Sequence, residues 1–416
     1  MTTSPYDSYR PPDGDRKRRR RGGGRGPAGG RGGRGGPGAR GGSGGRGWLN
    51  RGADGGREMP MVEDVEFTSY YGRPIVKAPP WGDEISLYLF LGGLAGGSAL
   101  LGLGAQITGR PALRSTTRLV SLGALGAGAL ALVEDLGRPE RFLNMMRTVK
   151  ITSPMSLGSW ILGGFGSGAG VVAVIEVDRL TGERIPLGPL KPLRHVLHAL
   201  ETPAAIASVL LAAPLASYTG VLLGATAVPT WNAAGRNGLP VVFAASASAA
   251  AGGTAMVTTP LDQAGPARIF ALAGTAAELV AMKVMKDRMH PVEVEPMETG
   301  EPGAKLHRAE MLAVAGGVAT AALEVGVRLL DRRAARASGG SATVRGGRTA
   351  LRVGLQVASA AAGAALAGAS AYTRFGMLEA GIASTKDPRH VVEPQRDRLE
   401  ARQAAGITHD SITTIG

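Results

Sequence analysis

From Leu239 to Leu261 the chain runs about 23 residues without a single charge, LPVVFAASASAAAGGTAMVTTPL. A helix needs roughly 20 apolar residues to cross a bilayer core. Lipid offers no partner to an exposed backbone amide, so such a segment must satisfy its own hydrogen bonds as a helix. The run is not isolated: Ile85–Ile107, Ile151–Ile175 and Val353–Thr373 are also long and uncharged. Several such runs make an all-α, polytopic membrane protein. Its chemistry then lies in the few polar groups carried into or beside the lipid.

Eight transmembrane helices in two bundles are expected, near residues 85–107, 115–134, 156–176, 196–224, 239–260, 267–284, 307–330 and 350–373. Glu278 interrupts the sixth and Glu324 the seventh. Pro203 and Pro214 fall within the fourth, where neighbouring helices satisfy the freed carbonyls, so they predict kinks rather than ends. The pairs Gly92/Gly96, Gly93/Gly97, Gly164/Gly168 and Gly166/Gly170 have the four-residue spacing that lets helix backbones approach closely. A bias toward Ala and Gly in the genome accounts for the same pattern.

The mean hydropathy of only +0.05 sums two unlike regions. Residues 1–58 are almost all Gly, Arg, Pro and Ser, with KRRRR at Lys17–Arg21 and RGG-like repeats through Gly56. That composition predicts disorder and supplies most of the net charge of +14. Its arginines lead into more Gly and Arg, and the first apolar span starts more than 60 residues later, so no export signal is expected. RGG tracts can bind RNA. A solvated basic tail touching anionic lipid head groups is preferred, and nucleic acid is not the expected partner.

Residues 59–84 form a polar, proline-containing approach, in which Trp81, followed by Tyr88 in the first span, is expected in the interfacial aromatic belt. The transmembrane domain is expected over 85–375 and a polar tail over 376–416. The basic residues Lys386, Arg389, Arg396, Arg398 and Arg402, with an even span count, argue for a cell (inner or plasma) membrane protein with both termini cytoplasmic. The Arg-rich stretch Asp331–Arg352 conflicts with this, because as a loop it would lie outside.

The densest polar motif is Glu134–Trp160, EDLGRPERFLNMMRTVKITSPMSLGSW, between the second and third spans. Asp135, Arg138, Glu140 and Arg141 crowd into seven residues, Gly137 and Pro139 shape a turn, and Ser153-Pro154 reads as an N-cap with proline in the first helical turn. On these residues alone it could be an ordinary charged surface loop. The stretch closely resembles the signature of the NrfD/PsrC family, the integral membrane subunits of polysulfide reductase, formate-dependent nitrite reductase and related molybdenum or multihaem complexes. The family pattern Asp-Leu-Gly-Arg-Pro-x-Arg-Phe is met at Asp135–Phe142, and Ser-Pro-Met-Ser-x-Gly-Ser-Trp at Ser153–Trp160, including Gly158. Leu89–Ser98 is similar to the family's glycine-rich first helix. Tyr218–Phe243 is similar to the stretch in which Tyr-Thr-Gly ends one helix and Trp-Asn, then Leu-Pro, open the next.

The resemblance, over roughly residues 80–375, implies a quinone-reactive membrane anchor. Such an anchor exchanges electrons between a menaquinone or ubiquinone pool, menaquinone being expected here, and a ferredoxin-like subunit with four iron–sulfur clusters. That subunit connects to a molybdopterin-type or multihaem catalytic subunit. The membrane subunit itself is expected to carry no haem and no cluster. The residues agree: there is no cysteine, and none of His195, His198, His290, His307, His390 and His409 looks placed to clamp a haem at membrane depth.

Quinone chemistry needs protonatable hydrogen-bonding groups in an apolar slot. Tyr218, in the Tyr-Thr-Gly motif, is the strongest carry-over from the family. His198 and Glu201 share a face of the fourth span at i, i+3, and Asp135 and Arg138 border spans two and three. The first span contains no histidine or asparagine, so Asp83, Glu84 or Gln106 would have to stand in for ligands placed there. Glu278 and Glu324 are candidates for a proton relay, since carboxylates within a membrane are functional candidates. The structural alternative pairs Glu324 with Arg328 and Glu278 with Lys283. The competing function is a transporter or proton-conducting protein, though no internal repeat supports a standalone transporter.

Overall fold

The computed structural model describes residues 74–135, 139–183, 191–336 and 342–406. The first long helix, α1 (Asp83–Ile107), returns through a three-residue turn into α2 (Pro111–Asp135). A short 3-10 stretch, Pro139–Met146, leads to α3 (Pro154–Leu180). There follow α4 (Lys191–Gly224), the short α5 (Pro229–Asn237), α6 (Leu239–Thr258) and α7 (Gly265–Arg288). The short α8 (Pro291–Glu298) precedes α9 (Gly300–Arg336), α10 (Ala342–Ser384) and α11 (Arg389–Ala404). No strand occurs among the described residues.

The long helices alternate in direction. Where α1 starts is called the proximal end, and where it stops the distal end. Helices α1–α4 pack as one bundle and α6, α7, α9 and α10 as a second, with α1 and α6 touching across the middle. The α1–α6 seam is close because of glycine. An added methyl on Gly93 would come 3.0 Å from the Ala247 side chain, and one on Gly97 would come 2.8 Å from the Ala247 carbonyl. Lipid supplies no hydrophobic drive between helices, so such backbone approach is what association rests on. The other predicted pairs divide: Gly164 and Gly168 both face α4, whereas Gly92 and Gly170 meet open space.

Among the described residues, seven helices are long and apolar enough to cross a membrane: α1, α2, α3, α4, α6, α9 and α10. The expected sixth span is α7, also a 24-residue helix, but Arg268, Glu278 and Lys283 keep it too polar to join them. It still runs from the distal Arg268, bonded to the Leu261 carbonyl, to the proximal Lys286, paired with Glu298 of α8. Helix α4 continues unbroken through Pro203 and Pro214. The expected Arg-rich loop after the seventh span is mostly helix: α9 reaches Arg336 and α10 begins at Ala342.

Short helices close the proximal end. Trp231 of α5 is fully buried; it stacks on Trp81 with ring centroids 5.4 Å apart and donates to the Met377 carbonyl of α10. Thr230 of α5 donates to the Glu293 carbonyl of α8, and Arg389 of α11 pairs with Glu295 at 2.5 Å. Glu295 beside it lifts the Arg389 guanidinium further above its ordinary range. Trp81 therefore does not lie in a lipid belt alone but seats the lid of short helices. At the distal end the bundles are tied by hydrogen bonds that include Ala112 N–H to Gln263 at 2.8 Å, Thr116 with Thr259 at 2.9 Å and Arg110 to the Asp262 carbonyl at 3.2 Å.

Candidate functional site

The motif around Ser153 builds a corner at the proximal end. Ser156 N–H donates to the Ser153 hydroxyl at 3.4 Å, and Pro154 occupies the first turn of α3, where its missing N–H has no cost. Ser156 reaches back to the Thr148 carbonyl at 3.1 Å, and the Trp160 indole N–H donates to that same carbonyl at 3.3 Å. The incoming segment is thus tied to α3 at two points. Gly158 plays a different part. The ring of Tyr218 lies directly against it, so any side chain there would collide. Motif and tyrosine, about 60 residues apart in sequence, are one packing unit.

Tyr218 sits near the proximal end of α4 and is 9% exposed. Its hydroxyl is hydrogen-bonded to that of Tyr88, on α1, which is 5% exposed. Tyr88 was expected in the interfacial belt. It lies inside the bundle instead, because Gly128 of α2 leaves room beside its ring. Tyr88 is the site residue that sequence reasoning missed. The available signal was a tyrosine within the otherwise apolar first helix, five residues past its start.

Beside Tyr218 runs a groove of about 610 Å³ between α3 and α4. Its walls are Ile151, Pro154, Leu157, Ile161, Pro214 and Val221, with Ser217 and Tyr218 as polar points. The groove is apolar, widely open and held by the motif residues.

The other predicted site residues divide between the two ends. Asp135 closes α2 at the proximal end, half-buried. Gly137 and Arg138 lie outside the described residues, and of Pro139 and Arg141 only the 3-10 backbone is described. His198 and Glu201 are distal. From Glu201 to Tyr218 is 17 residues of one helix, about 26 Å, so they share no pocket with Tyr218.

Glu201 belongs to a buried ionic network joining the four helices of the first bundle. Arg118 Nη1 lies 2.9 Å from Glu176 and 2.7 Å from Glu201, and its Nη2 donates to Gln106 at 2.5 Å. Arg179 also pairs with Glu201, and Arg114 with Glu176 at 3.1 Å. Gln106 is thus committed at the distal end and does not stand in for a first-helix ligand at the Tyr218 groove. His198 faces Asp178 at 3.4 Å, and Arg194 clamps the same carboxylate at 2.8 Å.

The two relay candidates are likewise apart. Glu324 is held by Arg268 at 2.6 Å and Arg328 at 2.8 Å, near the distal end. Glu278 lies ten residues beyond Arg268 on α7, about 15 Å along the helix. It accepts from Thr373 at 2.9 Å, while Lys283 pairs with Asp287 instead. Among the described residues no group of three or more His, Asp or Glu side chains is arranged to hold a metal ion.

Residues 75–265 match the family described as Polysulphide reductase, NrfD. The C subunit of polysulfide reductase from Wolinella succinogenes is 28% identical over 151 residues, which are 35% of this chain and 48% of that protein. The match thus spans about half the length of this curated relative. The matched region contains the Asp135–Phe142 and Ser153–Trp160 motifs, the Tyr218 corner and the helices that frame the groove. Residues 75–265 of this multi-pass membrane protein are thus similar to the NrfD family.

Proposed function

We propose that the protein is the integral membrane subunit of a multi-subunit oxidoreductase, exchanging electrons between a membrane quinone and a peripheral iron–sulfur subunit. The observation that carries this reading is Tyr218, bonded to Tyr88, in the wall of an apolar groove. When bound, a quinone supplies the capacity to carry two electrons and two protons. The apolar walls of the groove hold the ring and exclude water. Tyr218 hydrogen-bonds a carbonyl oxygen, and Tyr88 fixes the direction of its proton. Gly158 keeps the Tyr218 ring in place, and the Ser153 corner holds α3 against it. Asp135 is assigned to the polar edge at the same end, and Arg138, outside the described residues, is kept as a candidate from its motif. His198 and Glu201 are assigned to the distal charge network rather than to the ligand.

The family, together with the lack of cysteine in this sequence, supports a partner that carries the clusters. We assign a ferredoxin-like four-cluster subunit, a molybdopterin-type or multihaem catalytic subunit beyond it, and menaquinone as the carrier. We place the protein in the cell membrane with both termini cytoplasmic.

The test uses the complex purified in mild detergent. Iron–sulfur and catalytic subunits should co-purify, and quinol-driven reduction of an artificial acceptor should fall about tenfold or more in Tyr218→Phe, as expected for loss of a positioned proton donor. Absence of any cluster-bearing companion, or unchanged turnover in both Tyr218→Phe and Tyr88→Phe, would overturn the reading.

A further inference from the structure

A second cavity lies in the other bundle. It occupies about 540 Å³ between the proximal halves of α7 and α9 and the end of α8. Lys286, Asp287, Glu298, His307 and Glu310 give it a polar wall, and Glu278 and Thr373 line it where α7 meets α10. Glu278 is 4% exposed; one carboxylate oxygen accepts from Thr373, and the other has no hydrogen-bond partner among the described residues. Arg374, next in sequence to Thr373, is fully buried. It donates to the Phe243 carbonyl at 2.6 Å, lies 3.6 Å over the Phe243 ring, and leaves Nε and Nη1 without partners among the described residues. No ion pair within 4.0 Å joins Arg374 to Glu278 among the described residues.

Buried polar atoms left without protein partners are normally met by ordered water. Here a cavity with room for water is lined by Glu278, the residue that carries one of them. We propose that this cavity is a hydrated inlet through which Glu278 exchanges protons with the aqueous phase at the proximal end.

The groups that face Glu278 set the terms of the exchange. From α10, Thr373 donates to it and Arg374 contributes a fixed positive charge, since a guanidinium does not deprotonate in a protein. Burial favours the neutral acid, and that nearby charge favours the carboxylate. From α6, Ser246 offers a hydroxyl but is already bonded to Ser370 at 2.8 Å. From α9, His307 and Glu310 stand in the cavity wall, and Lys283, Lys286 and Asp287 continue along α7 toward water. A proton arriving by this route converts the Glu278 carboxylate to its acid, and leaves by the reverse step. No electron transfer or co-reactant is involved, and the site is separate from the Tyr218 groove.

The sequence has no cysteine, so introduced thiols can be read without background. Ala313 is 3% exposed and lines the cavity, whereas Ala250 on α6 is fully buried and does not. In the full-length protein in liposomes, Ala313→Cys should react with a charged, membrane-impermeant methanethiosulfonate at least tenfold faster than Ala250→Cys. Equal, slow reaction would mean a dry or lipid-filled cavity and would overturn the inlet. Dicyclohexylcarbodiimide, which modifies protonated carboxyl groups in apolar surroundings, should label Glu278, located by mass spectrometry. The label should fade as pH rises and vanish in Glu278→Gln. A reactive Ala313→Cys together with an unlabelled Glu278 at every pH would overturn proton exchange at this residue. Neither readout involves quinone turnover, so both stand or fall separately from the proposed function.

Discussion

Gly158 shows how one missing side chain defines the candidate site. In sequence it is a motif position with no visible reason for its being glycine. In the fold it is where the Tyr218 ring lies, and Tyr218 in turn bonds Tyr88. Gly158→Ala should therefore displace the ring rather than merely crowd it, with overpacking of about 1–3 kcal/mol. We expect lower thermal stability of the detergent-solubilised protein and a loss of quinol turnover comparable to that of Tyr218→Phe. A stable variant with full turnover would show that the ring position is immaterial. Tyr218 was legible because a motif singled it out. Tyr88 was not, because a tyrosine near a helix start reads equally well as an interfacial anchor, and only the partner glycines on α2 and α3 decide between the two. The distance of His198 and Glu201 from Tyr218 was hidden for a related reason. Sequence shows that they share a helix with Tyr218, but not that a helix of 34 residues carries its two ends to opposite ends of the bundle.

At the level of helices, the distal half of the first bundle is held by buried charge as well as by close packing at Gly168. Arg118 is 2% exposed and bonds two glutamates from α3 and α4 as well as Gln106 of α1. Removing Arg118 takes the most deeply buried cation from between the two glutamates, which keep only the more exposed Arg114 and Arg179. Arg118→Ala should accordingly destabilise the bundle by about 3–5 kcal/mol. The double replacement Arg118→Met, Glu201→Gln should be milder than the single change, because one charge of each sign leaves together while Glu176 keeps Arg114 and Arg179. Thermal unfolding in detergent distinguishes the two, and a double variant worse than the single one would contradict this account. The network was only half visible beforehand. Glu201 stands out as a carboxylate within a span, but Arg114, Arg118, Glu176 and Arg179 fall near span ends, where charges are ordinary. The corner at Ser153 was better signalled, because an N-cap followed by proline is a local rule. Ser153→Ala should lose about 1 kcal/mol, measured by the same unfolding assay, with no change in assembly.

For the molecule as a whole, the polar approach to α1 and the end of α11 lie at the same end of the helices. If α7 crosses with the seven more apolar spans, Lys77→Cys and Gln403→Cys, both at exposed positions, should be labelled by an impermeant thiol reagent from the same side of sealed vesicles. Labelling from opposite sides would mean that one long helix, α7 first among them, does not cross. The number and order of long helices were legible from hydropathy alone, since lipid imposes a minimum length on every span. Less legible were the short helices α5, α8 and α11. They lie outside any apolar run, and their stability comes from tertiary contacts such as Trp231 against Trp81 and Arg389 with Glu295.

The two prolines inside α4 carry a consequence for motion. Proline has no amide hydrogen, so the carbonyls of Ala199 and Leu210 lack the usual donor four residues on. The rod that joins the charged cluster at one end to the tyrosine pair at the other is therefore missing two rungs. Deuterium should enter the amides around these gaps sooner than those of α6, whose ladder contains no interior proline beyond its first turn. A disturbance at either end of α4 would be taken up there as bending.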